Sequence, residues 1–175
     1  MILTDGFEEM EAITPIDLLR RANIEVVTAG LEKETVTGRQ GVRIFTDTLL
    51  EQTTGLFDAL ILPGGPGFKT LAGSDLVLQT VQDFYKDSIL CCAICAAPKV
   101  FSDAGILKGK TYTCYPGISK EIANAQYVDR EVVQDGTVIT SAGPGTAIRF
   151  SLAIIAALAG EEKASEIKNQ IIFSG

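Results

Sequence analysis

The chain has 175 residues, 46% of them apolar, with 22 acidic and 15 basic side chains giving a formal charge of −7. That length and apolar share suit one domain with a sizeable core, so residues 1–175 read as a single domain, while the acidic balance without a basic block excludes nucleic acid or anionic membrane as main partners. Histidine is absent, which removes a Ser-His-Asp triad, a Cys-His dyad and any His-containing zinc site supplied by this chain alone.

The opening Met1-Ile2-Leu3-Thr4-Asp5-Gly6 lacks the basic region and long apolar stretch of a signal peptide. Leu152–Ala159 is far shorter than the roughly 20 residues of a membrane span, so the expected location is the cytoplasm. Ile2–Leu3 reads as a first strand, cut short. Thr14-Pro15 reads as N-cap and first position of a helix through Ala22. The sequence leaves open whether Glu8–Ile13 is an earlier part of that helix, kinked at Pro15. Strands are expected at Glu25–Ala29, Val42–Phe45 and Ala59–Leu62, then a helix at Ser74–Tyr85. A strand at Ile89–Ile94 is followed by a helix from Ala96 onward and a strand at Lys110–Cys114. Two further strands, Tyr127–Val133 and Thr137–Ser141, flank a hairpin turn at Gln134-Asp135-Gly136. A helix at Thr146–Leu158 precedes Gly160.

Near-continuous apolar strands separated by helices indicate a mostly parallel sheet covered on both faces. Ligand and catalytic groups in such sheets collect at the carboxyl ends of strands, which directs attention to the segments after Leu3, Leu62 and Ile94.

The last of these segments runs Ile89-Leu90-Cys91-Cys92-Ala93-Ile94-Cys95-Ala96-Ala97-Pro98. Cys95 would stand at a strand-to-helix turn near the positive end of a helix dipole, with small neighbours that suit a nucleophile elbow. Cys91 and Cys92 read as small buried hydrophobes. Cys92 and Cys95 have the spacing of a redox pair, but extended strand separates their Cα atoms by about 10 Å where a disulfide needs under about 7 Å. The four cysteines, Cys114 included, lack the dispersed spacing of a secreted disulfide framework.

Leu62-Pro63-Gly64-Gly65-Pro66-Gly67 is either a tight turn or half of an oxyanion hole; a phosphate-cradling loop would need a Lys-Ser/Thr ending that is missing. In Asp5-Gly6-Phe7-Glu8-Glu9-Met10-Glu11, Glu8 and Glu9 read as solvated carboxylates at a helix start. Glu11, flanked by Met10, Ala12 and Ile13, could be buried, held protonated, and donate a hydrogen bond to a thiolate. Ser141-Ala142-Gly143-Pro144-Gly145-Thr146 reads as a structural strand-to-helix turn.

Taken in order, four of these segments resemble the DJ-1/ThiJ/PfpI superfamily, in particular its YajL/ThiJ-like and DJ-1 branch. They are Asp5–Glu11, Leu62–Gly65, Ala93–Pro98 and Ser141–Thr146, and the likeness covers nearly the whole chain. The resemblance implies a flavodoxin-like (Rossmann-like) α/β three-layer sandwich with a mostly parallel central sheet, a nucleophile-elbow cysteine and a homodimeric state. It implies Cys95 as nucleophile, Glu11 as the carboxyl group bonded to it, and the Gly65 and Ala96 amides as the oxyanion hole. Arg21 matches a family arginine near the anion site, to which Gly64 also belongs. No cofactor and no metal are implied.

Three departures shape the functional expectation. Ala96 stands where the protease-like branch has histidine, which argues against peptidase activity. Several glyoxalase-type relatives use a histidine near the position of Asn124 to Gln126, and this chain has none. Ala97 replaces a common glycine. The leading expectation is a glyoxalase or deglycase converting methylglyoxal, or its adducts on glycated protein side chains, to lactate. The alternatives are a redox sensor with chaperone activity, acting through oxidation of Cys95, and a scaffold protein with a vestigial site.

Overall fold

The computed structural model describes residues 1–174, and its apolar runs form two parallel ladders laid side by side. The first joins β1 (Ile2–Leu3) to β2 (Ala29–Gly30). A separate antiparallel pair, β3 (Thr35–Thr37) and β4 (Arg43–Phe45), lies outside both ladders. β5 (Thr48–Leu49) completes the first ladder beside β2. The second ladder contains β6 (Ala59–Leu62) and β7 (Leu90–Ile94). A small parallel pair, β8 (Thr111–Tyr112) and β9 (Gln126–Tyr127), comes next. The edge strand β10 (Val132–Asp135) runs antiparallel to β11 (Val138–Ser141), and the second ladder has the order β10-β11-β7-β6. β1 packs against β6, where the two ladders meet.

Period-two alternation assigns the strand side chains to two cores. Leu60, Leu62, Cys91 and Ala93 face one cluster, which also contains residues of α2 (Phe68–Ala72), α3 (Asp75–Lys86) and α4 (Pro98–Asp103). Ile61, Cys92 and Ile94 face the other, built with α1 (Glu9–Arg21), α5 (Ala147–Ala159) and α6 (Glu161–Gln170). This is the three-layer, flavodoxin-like α/β arrangement expected from the sequence. Each fully buried Leu, Ile or Phe contributes roughly 1.5–3 kcal/mol of burial. Cys91 and Cys92, both fully buried, fill opposite cores as small hydrophobes.

Several elements differ from expectation for physical reasons. Glu8 is the N-cap of a single α1 that runs through Pro15 to Arg21, so Thr14-Pro15 is helix interior rather than a start. Pro15 forgoes one helical hydrogen bond but is buried, and the packing of α1 holds the helix together. Of the strand expected at Glu25–Ala29, only Ala29 joins the ladder, because its pairing with β1 begins at Ile2↔Ala29. Val42–Phe45 belongs mostly to the outlying β3–β4 pair, and the stretch Tyr127–Val133 divides between β9 and β10. Gly160 ends α5, but α6 begins at once; its polar sequence buries only Ala164 and Ile167 and so carries little apolar signal. The helix expected at Ser74–Tyr85 runs Asp75–Lys86, capped by Ser74, whose hydroxyl oxygen accepts from the Val77 N–H.

Candidate active site

The three segments picked out at strand ends converge on one point. Cys95 leaves β7 in the left-handed region, with φ +64°. For a residue with a Cβ this conformation costs of order 1–3 kcal/mol, so the surroundings must hold it. They do so from both sides: its N–H donates to the Ser141 carbonyl at 2.9 Å, and its carbonyl accepts from the Tyr115 N–H at 2.8 Å. Pro98 then opens α4. Cys95 remains 8% exposed.

The loop after β6 lies against Cys95 so closely that only glycine fits. A Cβ on Gly64 would lie 2.8 Å from the Cys95 Cβ, 2.8 Å from Glu11 Oε2 and 3.0 Å from the Ala96 nitrogen. Gly65 has φ +84°, and a Cβ there would lie 2.5 Å from the Gly6 carbonyl oxygen. The same loop is stitched to the segment after β1: the Glu8 N–H donates to the Gly64 carbonyl, and the Gly67 N–H to the Gly6 carbonyl, both at 3.0 Å.

Glu11, in the first turn of α1, is completely buried. Its Oε2 accepts from the Gly64 N–H at 2.8 Å, while Oε1 accepts no hydrogen bond among the described residues. Burial pushes the carboxyl up to about 7; its contacts with the Cys95 thiol and the Gly64 amide pull the other way without compensating. Burial also raises the thiol of Cys95, followed by the charge of Glu11 and the contact of its carboxyl with the sulfur, against the opposing pull of the Gly65 and Ala96 amides. A helix start alone therefore does not make this thiol acidic. A proton on Glu11 removes the opposing charge and leaves three donors, two amides and a carboxylic acid, around the sulfur.

Of the residues singled out in sequence, Cys95, Glu11, Gly64, Gly65 and Ala96 come together. Arg21 does not join them within this chain. It ends α1, ten residues and about 15 Å of helix from Glu11. Its guanidinium pairs with Asp17 at 3.0 Å on the exposed surface of the single chain. Gly64 positions the Glu11 carboxyl rather than presenting its N–H to a ligand. Glu9 is not simply solvated either: Oε1 accepts from the Gln40 and Val42 amides, tying the β3–β4 connection to α1. Sequence reasoning missed Tyr115 and the direct contact of Gly65 with Gly6, since neither a lone tyrosine nor a loop-to-loop contact leaves a local signal.

The sequence profile described as the DJ-1/PfpI family matches residues 1–157. The Drosophila melanogaster protein dj-1beta is 43% identical over 98% of this chain and 95% of its own length. Its crystal structure superposes with a TM-score of 0.95, covering 99% of this chain and 96% of that one. A Caenorhabditis elegans protein named glutathione-independent glyoxalase DJR-1.2 is 36% identical over 91% of this chain and 87% of its own length.

Proposed function

This chain belongs to the DJ-1/PfpI family, and within it we propose that the chain is a cysteine-dependent glyoxalase that hydrates methylglyoxal, free or as its early protein adducts, to lactate. The observation that carries this reading is the buried pair of Cys95 and Glu11, flanked by the Gly65 and Ala96 amides. The name of the worm relative supports the substrate class.

Cys95 and Glu11 share one proton in the reactive state. The sulfur adds to the aldehyde carbon, the aldehyde oxygen takes the proton, and a hemithioacetal forms while the two amides stabilise the developing oxyanion. Glu11, now a carboxylate, removes the hydrogen on that carbon as a proton and returns it to the adjacent carbonyl carbon through an enediol. The hydroxyl proton moves to the second oxygen. The product is a lactyl thioester on Cys95; water cleaves it, releasing lactate and a proton and restoring the pair. A carboxyl group poised near 7 suits both halves of this transfer.

The test is lactate formation from methylglyoxal without glutathione by wild type, Cys95→Ala and Glu11→Gln. Turnover lost in both variants supports the reading; wild-type turnover no higher than that of Cys95→Ala rejects it.

One observation favours a second reading, oxidation sensing. Cys95 is the least buried of the four cysteines, at 8% against 1% or less for Cys91, Cys92 and Cys114. Peroxide titration followed by mass spectrometry separates the two: a sensor oxidises at Cys95 before Cys114, whereas equal oxidation of both rejects sensing.

A further inference from the structure

The residues that hold Cys95 are, with one exception, small or buried. Gly64, Gly65 and Ala96 carry at most a methyl group, while Ser141 and Glu11 are fully buried. The exception is Tyr115. Its N–H donates to the Cys95 carbonyl at 2.8 Å, yet the residue is 50% exposed and takes no part in either core. A large apolar ring thus stands in water beside the one reactive centre of the fold.

The surrounding chain holds that ring in place. Pro116 and Gly117, the latter at φ +94°, form a tight turn closed by the Ile118 N–H on the Tyr115 carbonyl at 3.1 Å. Ile118 packs inward against the core that contains Cys95 and Ala96. The ring itself lies on Gly143, where an added Cβ would come within 3.3 Å of its Cδ2. Gly143 has φ 168°, an extended backbone that any residue adopts, so what its missing side chain supplies is room for the ring. Gly143 is two residues beyond Ser141, whose carbonyl accepts from the Cys95 N–H. The ring therefore reaches from one segment that clamps Cys95 to the other, at the rim of the site.

Building on the glyoxalase reading, we propose that Tyr115 determines specificity, as the platform for an aryl group on the ketone carbon of a 2-oxoaldehyde. Once the aldehyde carbon is bonded to the Cys95 sulfur, Glu11 closes the inner side, and the ketone substituent points outward to the rim. A flat aryl group there packs against the phenol ring and removes apolar surface of both from water, whereas a methyl group covers little of it. The overall reaction is unchanged: phenylglyoxal and water give mandelic acid, as methylglyoxal and water give lactic acid.

Two measurements on wild type, Tyr115→Phe and Tyr115→Leu test the assignment. The first is kcat/KM for phenylglyoxal relative to methylglyoxal, read as mandelate and lactate. Tyr115→Phe should keep this ratio within about twofold, whereas Tyr115→Leu, which still covers Gly143 but has no ring, should lower it about tenfold or more. The second needs no turnover. It is the rate at which Cys95 is alkylated by phenacyl bromide relative to bromoacetone, each divided by the rate with free cysteine and followed by mass spectrometry. In both reagents the sulfur displaces bromide from the carbon beside the carbonyl, so they differ only in aryl against methyl. Wild type and Tyr115→Phe should favour the aryl reagent by about fivefold or more, and Tyr115→Leu should not. An alkylation ratio that Tyr115→Leu leaves unchanged overturns the proposal. So does a ratio that Tyr115→Phe lowers as far as Tyr115→Leu does, since the hydroxyl would then be responsible. Selective alkylation by a wild type that makes neither lactate nor mandelate supports the aryl platform and rejects the glyoxalase reading alone.

Discussion

Each end of the strands buries a titratable group, Glu11 at one and the Met1 amine at the other, and they treat it differently. At the carboxyl end, Glu11 is enclosed by the Gly64 amide, the Cys95 thiol and three interlocked loops. At the amino end, the Met1 ammonium donates to the Val27 carbonyl. Burial is the largest influence on both, raising the carboxyl to about 7 and lowering the amine to about 6. In each case the neutral form is favoured. The carboxyl gains from this a neighbour to exchange a proton with, whereas the amine gains none. Desolvation alone thus does not make a functional group; the partners packed around it decide.

The largest expected effect lies at the carboxyl end. Cys95→Ala should lower lactate formation by about 10³-fold or more, and Glu11→Gln by roughly 10²–10⁴-fold, in steady-state assays. Gly64→Ala comes next. Its new Cβ would push on Cys95, Glu11 and the Ala96 amide together, so kcat should fall about 10²-fold while the fold persists. Retention of full activity would show that the close approach is not needed.

Stability against pH separates the two ends by sign. The folded-state value of Glu11 is raised from 4.5 to about 7, so its contribution is fully present below about pH 4.5 and is lost as pH rises through 7. Glu11→Gln should therefore gain up to about 3 kcal/mol over wild type above pH 7, relative to the difference at pH 4, by denaturant titration. The Met1 amine, lowered from 8.0 to about 6, works in reverse: its contribution is present above pH 8 and lost as pH falls through 6. Acetylating that amine removes its charge, and should stabilise most below pH 6, by about 2–3 kcal/mol. Gains with the same pH trend would break the comparison. The smallest effect is at Arg21, whose exposed pair with Asp17 should yield less than about 0.5 kcal/mol on Arg21→Ala. Lactate formation should not change in that variant.

Much of this was legible from local pattern. Short apolar runs with turn residues between them identify β6, β7, β11 and the helices α3 and α5, because burial on both faces of a parallel sheet demands continuous apolar strands. Cys95 stands out since small residues and Pro98 follow an apolar strand, and the glycines of the Gly64–Gly65 loop stand out since only glycine tolerates such close approach. By contrast, α6 buries two residues and resembles solvent-facing sequence, and Pro15 suggests a helix start where packing carries α1 straight through.

The sequence by itself determined the alternation that divides the strand residues between two cores, and the residue types able to form a strained turn with a buried carboxyl beside it. Only the tertiary structure decided the rest. It brings Glu11 within reach of Cys95 through a loop 53 residues further along the chain, at Gly64. It raises the thiol instead of lowering it, because desolvation depends on everything packed around the sulfur rather than on its neighbours in sequence. It carries Arg21 away from Glu11 along α1. Distances across a fold and exclusion of water are properties of packing, and no window of sequence contains them.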